Sequence, residues 1–361
     1  MAACDAGDGG GGNGPAQQPT KIVLTPVTTT DLPGWSADRF AAAFAAFRRS
    51  CRKLTALPAD QPLGDGGFAG TAGDWLGVCA AAELAVTGAA VDEATARGFF
   101  ETAFRPFAVA GAEGGEGTFT GYYEAGLRGS RVRTPPYVVP IHRLPGDLGD
   151  GPTADRAAIA GGALDGRGLE LLWVDDPVDA FILHIQGSGR AVLPDGAVVR
   201  LGYAGNNGRP YVAIGRLMRE RGLLPADGID MPAIRDWLHA NPAAGAALMA
   251  ENPRYIFFQE RVGAGPVGAQ GVALTPGRSL AVDGALIPLG APLWLDTTQP
   301  PPAGGPLRRL VIAQDTGAAI KGAVRGDLFW GAGDAAFEAA GRMNQRGRYF
   351  ILLPQAVADR L

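Results

Sequence analysis

The chain has 361 residues, and its 55 Gly and 28 Pro make nearly a quarter of it structure-interrupting, which excludes a long helical bundle or coiled coil and favours short strands joined by turns. A hydrophobic share of 47% against 19% charged is ordinary globular usage, so the chain can bury a core, and its length suggests about two domains. With 32 Lys+Arg against 36 Asp+Glu, the net charge of -4 offers no basic excess for nucleic acid or an anionic membrane surface.

Residues 1–20 read as a disordered tether, low in complexity and marked by Gly9 to Gly12. No run is apolar and long enough to span a membrane. The Ala-Ala pair before Cys4 resembles the end of a bacterial lipoprotein signal, which makes Cys4 a candidate lipid-attachment residue. An incidental cysteine in a disordered start is the alternative.

From Ser36 the pattern is helical, with Phe40, Phe44, Phe47, Cys51 and Leu54 at three- and four-residue intervals and Ser36 and Asp38 available as caps. Trp75, Cys79 and Ala82 mark a second helix, and Phe99, Phe100 and Phe104 a third opened by Asp92. A Cys51–Cys79 disulfide between the first two fits an oxidising envelope compartment, and two buried thiols fit the sequence equally well. After Phe104 short β-rich runs take over. Pro136 to Ile141, Glu170 to Val174, Asp179 to Ile185 and Ala191 to Tyr203 read as strands, the last folded at an Asp195-Gly196 turn. Tyr211 to Arg221, Asp230 to His239 and Pro242 to Ala250 read as helices. A second β block follows from Tyr255, with apolar runs at Tyr255 to Phe258, Ala281 to Leu289, Pro292 to Leu295, Leu310 to Ala313 and Tyr349 to Leu353, and one helix at Gly333 to Arg342.

The three histidines, His142, His184 and His239, stand far apart with no Glu or Cys at ligand spacing, so the sequence gives no signature of a metal site. Proton chemistry, if the chain is an enzyme, then falls to carboxylates. The strongest constellation is Thr275-Pro-Gly-Arg-Ser-Leu-Ala-Val-Asp283, Ala313-Gln-Asp315-Thr-Gly317, Ile320-Lys-Gly322 and Gly326-Asp327-Leu-Phe-Trp330. Each aspartate closes a strand or enters a glycine turn. Asp315 follows the apolar run Leu310-Val-Ile-Ala, where partial burial would raise its pKa toward that of a general acid; local sequence equally allows an Asx-type turn at Asp315-Thr316.

Asp283, Asp315 and Asp327 in these surroundings resemble the three aspartates of the three-aspartate (3D) domain in the membrane-bound lytic murein transglycosylase A family. Phe119-Thr-Gly-Tyr-Tyr-Glu124, Leu183-His-Ile-Gln-Gly-Ser-Gly-Arg190 and Tyr255-Ile-Phe-Phe258 also resemble that family, so the likeness runs from about Phe104 to Pro354. The resemblance implies an α+β, mainly β protein: a double-psi β-barrel domain over 21–125 and 260–361 that carries the N-terminal helices, a β-rich domain inserted over 126–259, and a substrate groove between them. It implies a lyase that cleaves the MurNAc-β-1,4-GlcNAc bond of peptidoglycan to leave 1,6-anhydro-MurNAc ends, in the cell envelope on the periplasmic face, without cofactor or metal.

In that family one aspartate is the acid/base, and Asp315 occupies its position. Asp283 and Asp327 would shape the site or bind sugar, although a structural role for either fits as well. Thr120, Gln186, Gly187, Ser188 and Gly189 are candidate sugar contacts, Tyr122, Tyr123 and Trp330 candidate stacking faces, and Lys321 and Arg190 candidate partners for lactyl or peptide carboxylates; each also has a plain structural reading. The expected partners are glycan strands and other cell-wall enzymes, with no nucleic acid and membrane contact only through a lipid anchor at Cys4. Two rivals stay open: a glycoside hydrolase with Asp315 as acid and Asp327 or Glu124 as base, and a non-catalytic wall-binding barrel. Gly331-Ala-Gly-Asp-Ala-Ala336 lacks the unit a dinucleotide fingerprint needs, and Gly187-Ser188-Gly189 lacks a nucleophile-elbow frame.

Overall fold

The computed structural model describes residues 22–86, 91–147, 154–225, 229–263 and 265–361; Cys4 and the tether expected over 1–20 lie outside the described residues. In chain order the elements are β1 (Val23–Pro26), α1 (Phe40–Leu54), α2 (Ala72–Leu84), α3 (Glu93–Ala103), β2 (Phe104–Ala110), β3 (Gly117–Ser130), β4 (Val139–His142), α4 (Arg156–Ala160), β5 (Glu170–Val174), α5 (Pro177–Gln186), β6 (Ser188–Val192), β7 (Val198–Asn206), α6 (Ile214–Glu220), α7 (Met231–Ala240), α8 (Pro242–Ala250), β8 (Ile256–Arg261), β9 (Ser279–Val282), β10 (Pro292–Thr298), β11 (Pro306–Thr316), β12 (Arg325–Ala332), α9 (Asp334–Arg342), β13 (Asn344–Pro354) and α10 (Gln355–Ala358). They divide into two compact units. One holds the described residues up to Gly121 with Val267–Trp330 and Met343–Leu361; the other holds Tyr122–Pro266 and Gly331–Arg342. Among the described residues no helix is long and apolar enough to cross a membrane.

The first unit is a mixed sheet with helices. Its strands run in the order β1-β2-β13-β10-β11-β9-β12, antiparallel except for the parallel pair β9 and β11. The aromatic face that Phe40, Phe44 and Phe47 give α1 meets Phe99 and Phe100 of α3 and Phe104, with ring centroids 5.0 to 6.3 Å apart, and the whole cluster is buried. Phe104 opens β2 rather than closing the third helix, which Asp92 caps through the Thr95 N–H. Cys51 and Cys79 are disulfide-bonded across α1 and α2. Of the apolar run Ala281 to Leu289, only its first two residues are strand.

In the second unit β3 pairs in parallel with β6, which continues antiparallel to β7 and β8, while β4 and β5 extend the end of β3. The segment Asp179 to Ile185, expected as a strand, is helical within α5. Every residue from Ala180 to Gln186 is buried, so the helix carries no polar stripe and its apolar run imitates a core strand. The ends decide. Asp176 caps the Val178 and Asp179 N–H groups, Pro177 sits at the first turn, and Gly187 stops the helix in the left-handed region at φ +73°.

Candidate active site

The three aspartates come from consecutive strands of the first unit. Strand β9 lies between β11 and β12, and its Ala281 faces Asp315 in one register and Asp327 in the other; Asp283 follows directly after β9. At a strand spacing of about 4.8 Å, Asp315 and Asp327 therefore flank Ala281 at one level of the sheet, and Asp283 follows two residues further along. Asp283 and Asp315 stand at strand ends, as expected, whereas Asp327 is the third residue of β12, inside the strand.

Asp315 owes its setting to a register shift between Ala313 and Asp315, which leaves Gln314 as an extra residue. Gln314 has no exposed surface, so its amide must find partners inside. Its Nε2 donates to the Ala46 carbonyl and to Ser50 Oγ, both at 2.9 Å, and its Oε1 accepts from Ser279 Oγ at 2.6 Å. Ser50 in turn donates to Gln270 Oε1 at 2.7 Å, and the Thr275 N–H donates to Ser279 Oγ at 2.7 Å. The 268–271 turn is drawn over the same strand: the Gln270 N–H reaches the Gln314 carbonyl, and a Cβ on Gly268 would stand 2.3 Å from that oxygen. This clasp delivers the Ala269 N–H to Asp315 Oδ1 at 2.8 Å, where the Thr316 N–H also donates at 2.9 Å. Asp315 itself is half-buried. Two backbone donors on one oxygen fix the plane of the carboxyl group without enclosing it.

The neighbouring carboxylates are held differently. Asp283 is buried, with Oδ2 accepting the Gly322 N–H at 3.0 Å and Oδ1 accepting the Ala285 N–H at 3.3 Å; the exposed Lys321 ammonium lies 3.5 Å from Oδ1, a weak surface pair. Asp327 has no exposed surface and takes the Thr120 hydroxyl at 2.6 Å. Arg325 Nη1 donates to Thr120 Oγ1 at 3.0 Å and to the Gly326 carbonyl at 2.6 Å, so one guanidinium orients the threonine that serves Asp327. Sequence reasoning missed Gln314, Ser50, Ser279, Gln270 and Arg325. The one available signal was a glutamine ending the apolar run Leu310 to Ala313.

Gln186, Gly187, Ser188 and Gly189 belong to the second unit, as do Tyr122 and Tyr123. Gln186 is buried and accepts the Tyr123 N–H at 3.2 Å; Ser188 is half-buried at the start of β6. A Cβ on Gly189 would lie 2.5 Å from Leu183 Cδ1 and 2.8 Å from the Ala125 carbonyl, so packing alone requires that glycine. Tyr122 and Tyr123 are buried, the Tyr123 ring 5.4 Å from Phe337, and burial pushes the Tyr123 phenol pKa up. Glu124 is buried and paired with Arg200 at 2.7 Å. Trp330, in the first unit, is half-buried with its N–H on the Met343 sulfur at 3.3 Å. Asp176, Asp179 and His239 bring three ligating atoms within 4.8 Å, but Asp176 caps α5 and lies 2.9 Å from His239 Nε2, and Arg235 sits 3.0 Å from Asp179, so each carboxylate already has a partner.

Residues 118–259 match the MltA specific insert domain, and residues 278–353 match the 3D domain. The chain is 36% identical over 222 residues to the membrane-bound lytic murein transglycosylase A of Vibrio cholerae, a match spanning 60% of each protein. The membrane-bound lytic murein transglycosylase of Agrobacterium tumefaciens superposes with a TM-score of 0.81 at 35% identity, covering 93% of this chain and 99% of that one. Escherichia coli MltA with bound chitohexaose superposes with a TM-score of 0.72 at 28% identity, over 95% and 96% of the two chains.

Proposed function

Since this chain belongs to the membrane-bound lytic murein transglycosylase A family, we propose that it cleaves the MurNAc-β-1,4-GlcNAc bond of peptidoglycan without water, leaving a 1,6-anhydro-MurNAc end. The observation that carries the reading is the group of aspartates around Ala281, with Asp315 the half-exposed member. The chitohexaose bound to the E. coli relative supports a glycan chain as substrate.

Asp315 acts as acid and then as base. It protonates the glycosidic oxygen as the bond to C1 breaks, and as carboxylate it takes the proton from the substrate's C6 hydroxyl as O6 closes on C1. An intramolecular nucleophile has a high effective molarity, so no second carboxylate need activate water. A two-carboxylate hydrolase requires its second group open to water. Asp327 has no exposed surface and holds Thr120, and Glu124 is buried against Arg200, which argues against either as a base. Asp283 and Asp327 then shape the site. Gln186, Ser188 and the backbone of Gly187 and Gly189 bind sugar, and Lys321 meets a carboxylate of the strand.

The finer architecture belongs to the same proposal: a double-psi β-barrel over 21–125 and 260–361 with a β-rich insertion at 126–259. So does the location, the periplasmic face of the envelope, with Cys4 as lipid anchor.

The test is mass spectrometry of the muropeptides released from purified sacculi. Wild type should release anhydro-MurNAc products, and Asp315→Asn should lose turnover by at least about 100-fold, as removal of a general acid does, while still binding sacculi. Reducing MurNAc ends in place of anhydro ends would overturn the mechanism, and undiminished turnover in Asp315→Asn would remove that residue from the role.

A further inference from the structure

The second unit contains a cavity of about 450 Å³ that includes none of the residues given a part in bond cleavage. Its walls are largely apolar, with Val139 and Trp173 from β4 and β5, Ile159 from α4, Phe181 from α5, and Met249 and Ala250 from α8. That size and lining are those of a small-molecule site, which needs in addition a few convergent polar groups.

The cavity has such a set, and its charge is unbalanced. Arg156 lines it and is 7% exposed. Its guanidinium donates to the carbonyls of Asn252 and Arg254 and to Nδ1 of His184 at 3.2 Å, and it lies over the rings of Phe181 and Tyr255 at 4.8 and 5.4 Å. Every one of these partners is uncharged. Burial brings the guanidinium pKa down to about 10, so it remains a cation at neutral pH. Burial together with the Arg156 and His142 charges holds His184 well below the usual imidazole range, and burial also lowers His142, so neither adds or offsets charge. Tyr255 stays protonated because burial raises its pKa. The other charged residues of the lining among the described residues, Arg133 and Asp165, are exposed, with Arg133 lying over Trp173. A buried cation without a buried anion is a costly arrangement unless a ligand completes it.

A second, independent feature points the same way. His142, 1% exposed, also lines the cavity; its Nδ1 is 2.7 Å from the Tyr255 hydroxyl, and its Nε2 is buried with no hydrogen-bond partner among the described residues. When Tyr255 donates to Nδ1, the ring proton resides on Nε2, which is then a buried donor lacking an acceptor.

We propose that this cavity binds a small carboxylate carried on an apolar body, the anion meeting Arg156 and the Nε2–H of His142 and the body packing against Phe181, Trp173 and Met249. The two unmet demands, an anion for Arg156 and an acceptor for His142, are both supplied by one carboxylate.

Titration calorimetry on the whole protein tests this with hexanoate, hexanamide and hexylammonium, which share shape and differ in charge. Hexanoate should bind at one site per chain, at least about tenfold more tightly than hexanamide, the value of one hydrogen-bonded charge contact, and hexylammonium should not bind. Ala250→Trp, which fills the cavity while leaving Arg156 and His142 in place, should abolish hexanoate binding in a protein with wild-type circular dichroism. Arg156→Gln should lose the preference for hexanoate over hexanamide; should that variant not fold, His142→Phe, which removes the Nε2 donor and leaves Arg156 in place, should weaken hexanoate binding, and undiminished binding there would overturn the proposal. Equal binding of hexanoate and hexanamide, no saturable binding of hexanoate, or binding that survives Ala250→Trp would each overturn the proposal.

Discussion

The Thr120 hydroxyl donates to Oδ1 of Asp327 across 2.6 Å, at a point where the carboxyl group has no exposed surface. Thr120→Val keeps the shape of the side chain and removes both the donor for Asp327 and the acceptor for Arg325 Nη1. Deleting one partner in a buried polar chain costs about 1–3 kcal/mol. The variant should therefore unfold at a lower urea midpoint by that amount and turn over sacculi more slowly, and Thr120→Ser should restore both. Wild-type stability in Thr120→Val would mean that the bond contributes nothing.

Gly189 gives a prediction of a different kind. It was singled out as a place where a sugar could approach the backbone, yet a Cβ there would press on Leu183 and on the Ala125 carbonyl inside the protein. Overpacking of this sort costs about 1–3 kcal/mol. Gly189→Ala should lower the unfolding midpoint accordingly, whether or not glycan is present. A variant of unchanged stability with weakened sacculus binding would assign the residue to the ligand instead.

What could be foreseen from the sequence follows a physical line. The face of α1 was legible because Phe40, Phe44, Phe47, Cys51 and Leu54 repeat at helical spacing against an opposite side of alanine, arginine and lysine. Helix α5 was not, because burial on all sides erased the period and left only its caps, Asp176 and Gly187, to contradict a strand. Asp283 and Asp315 were legible as strand-end residues near glycines, whereas Asp327 lies inside β12, and what holds all three was not legible. Gln314 is an extra residue in β11 only because Ser50, 264 positions earlier, and Ser279 on β9 receive its amide. Thr120 and Asp327 are 207 residues apart. No local pattern records such pairings, since the partner belongs to another element.

The disulfide between Cys51 and Cys79 closes a separation of 28 residues between α1 and α2. Loop-closure entropy for that length corresponds to about 3–4 kcal/mol of stabilisation. Both cysteines are buried and pack into the same core cluster as Phe44 and Trp75, so serine at each position adds a smaller packing loss. The Cys51→Ser, Cys79→Ser variant, or the wild type in excess reductant, should show a fall of at least this size in unfolding free energy, read by chemical denaturation. Reductant should leave the double variant unaffected. An unchanged midpoint in the double variant would show that the crosslink does not constrain the unfolded chain.

The buried histidines set how stability responds to acid. Burial, then Arg156 and His142, depress the pKa of His184 well below its ordinary value of 6.5, and burial depresses that of His142. Above the ordinary value both groups are neutral in folded and unfolded chains alike and contribute no pH dependence. As pH falls through 6.5 the unfolded chain takes up protons that the folded one refuses, so stability drops, by up to about 1.4 kcal/mol per pH unit for each histidine. Between pH 7 and pH 5 the unfolding free energy should therefore decline. His184→Gln should reduce the slope by at least about half over that interval, since its side-chain oxygen can accept from Arg156 and it does not titrate, while His142, the less strongly shifted of the two, continues to do so. Urea unfolding of both proteins at half-unit steps of pH measures the slopes, and identical slopes would show that His184 gains its proton without the protein opening.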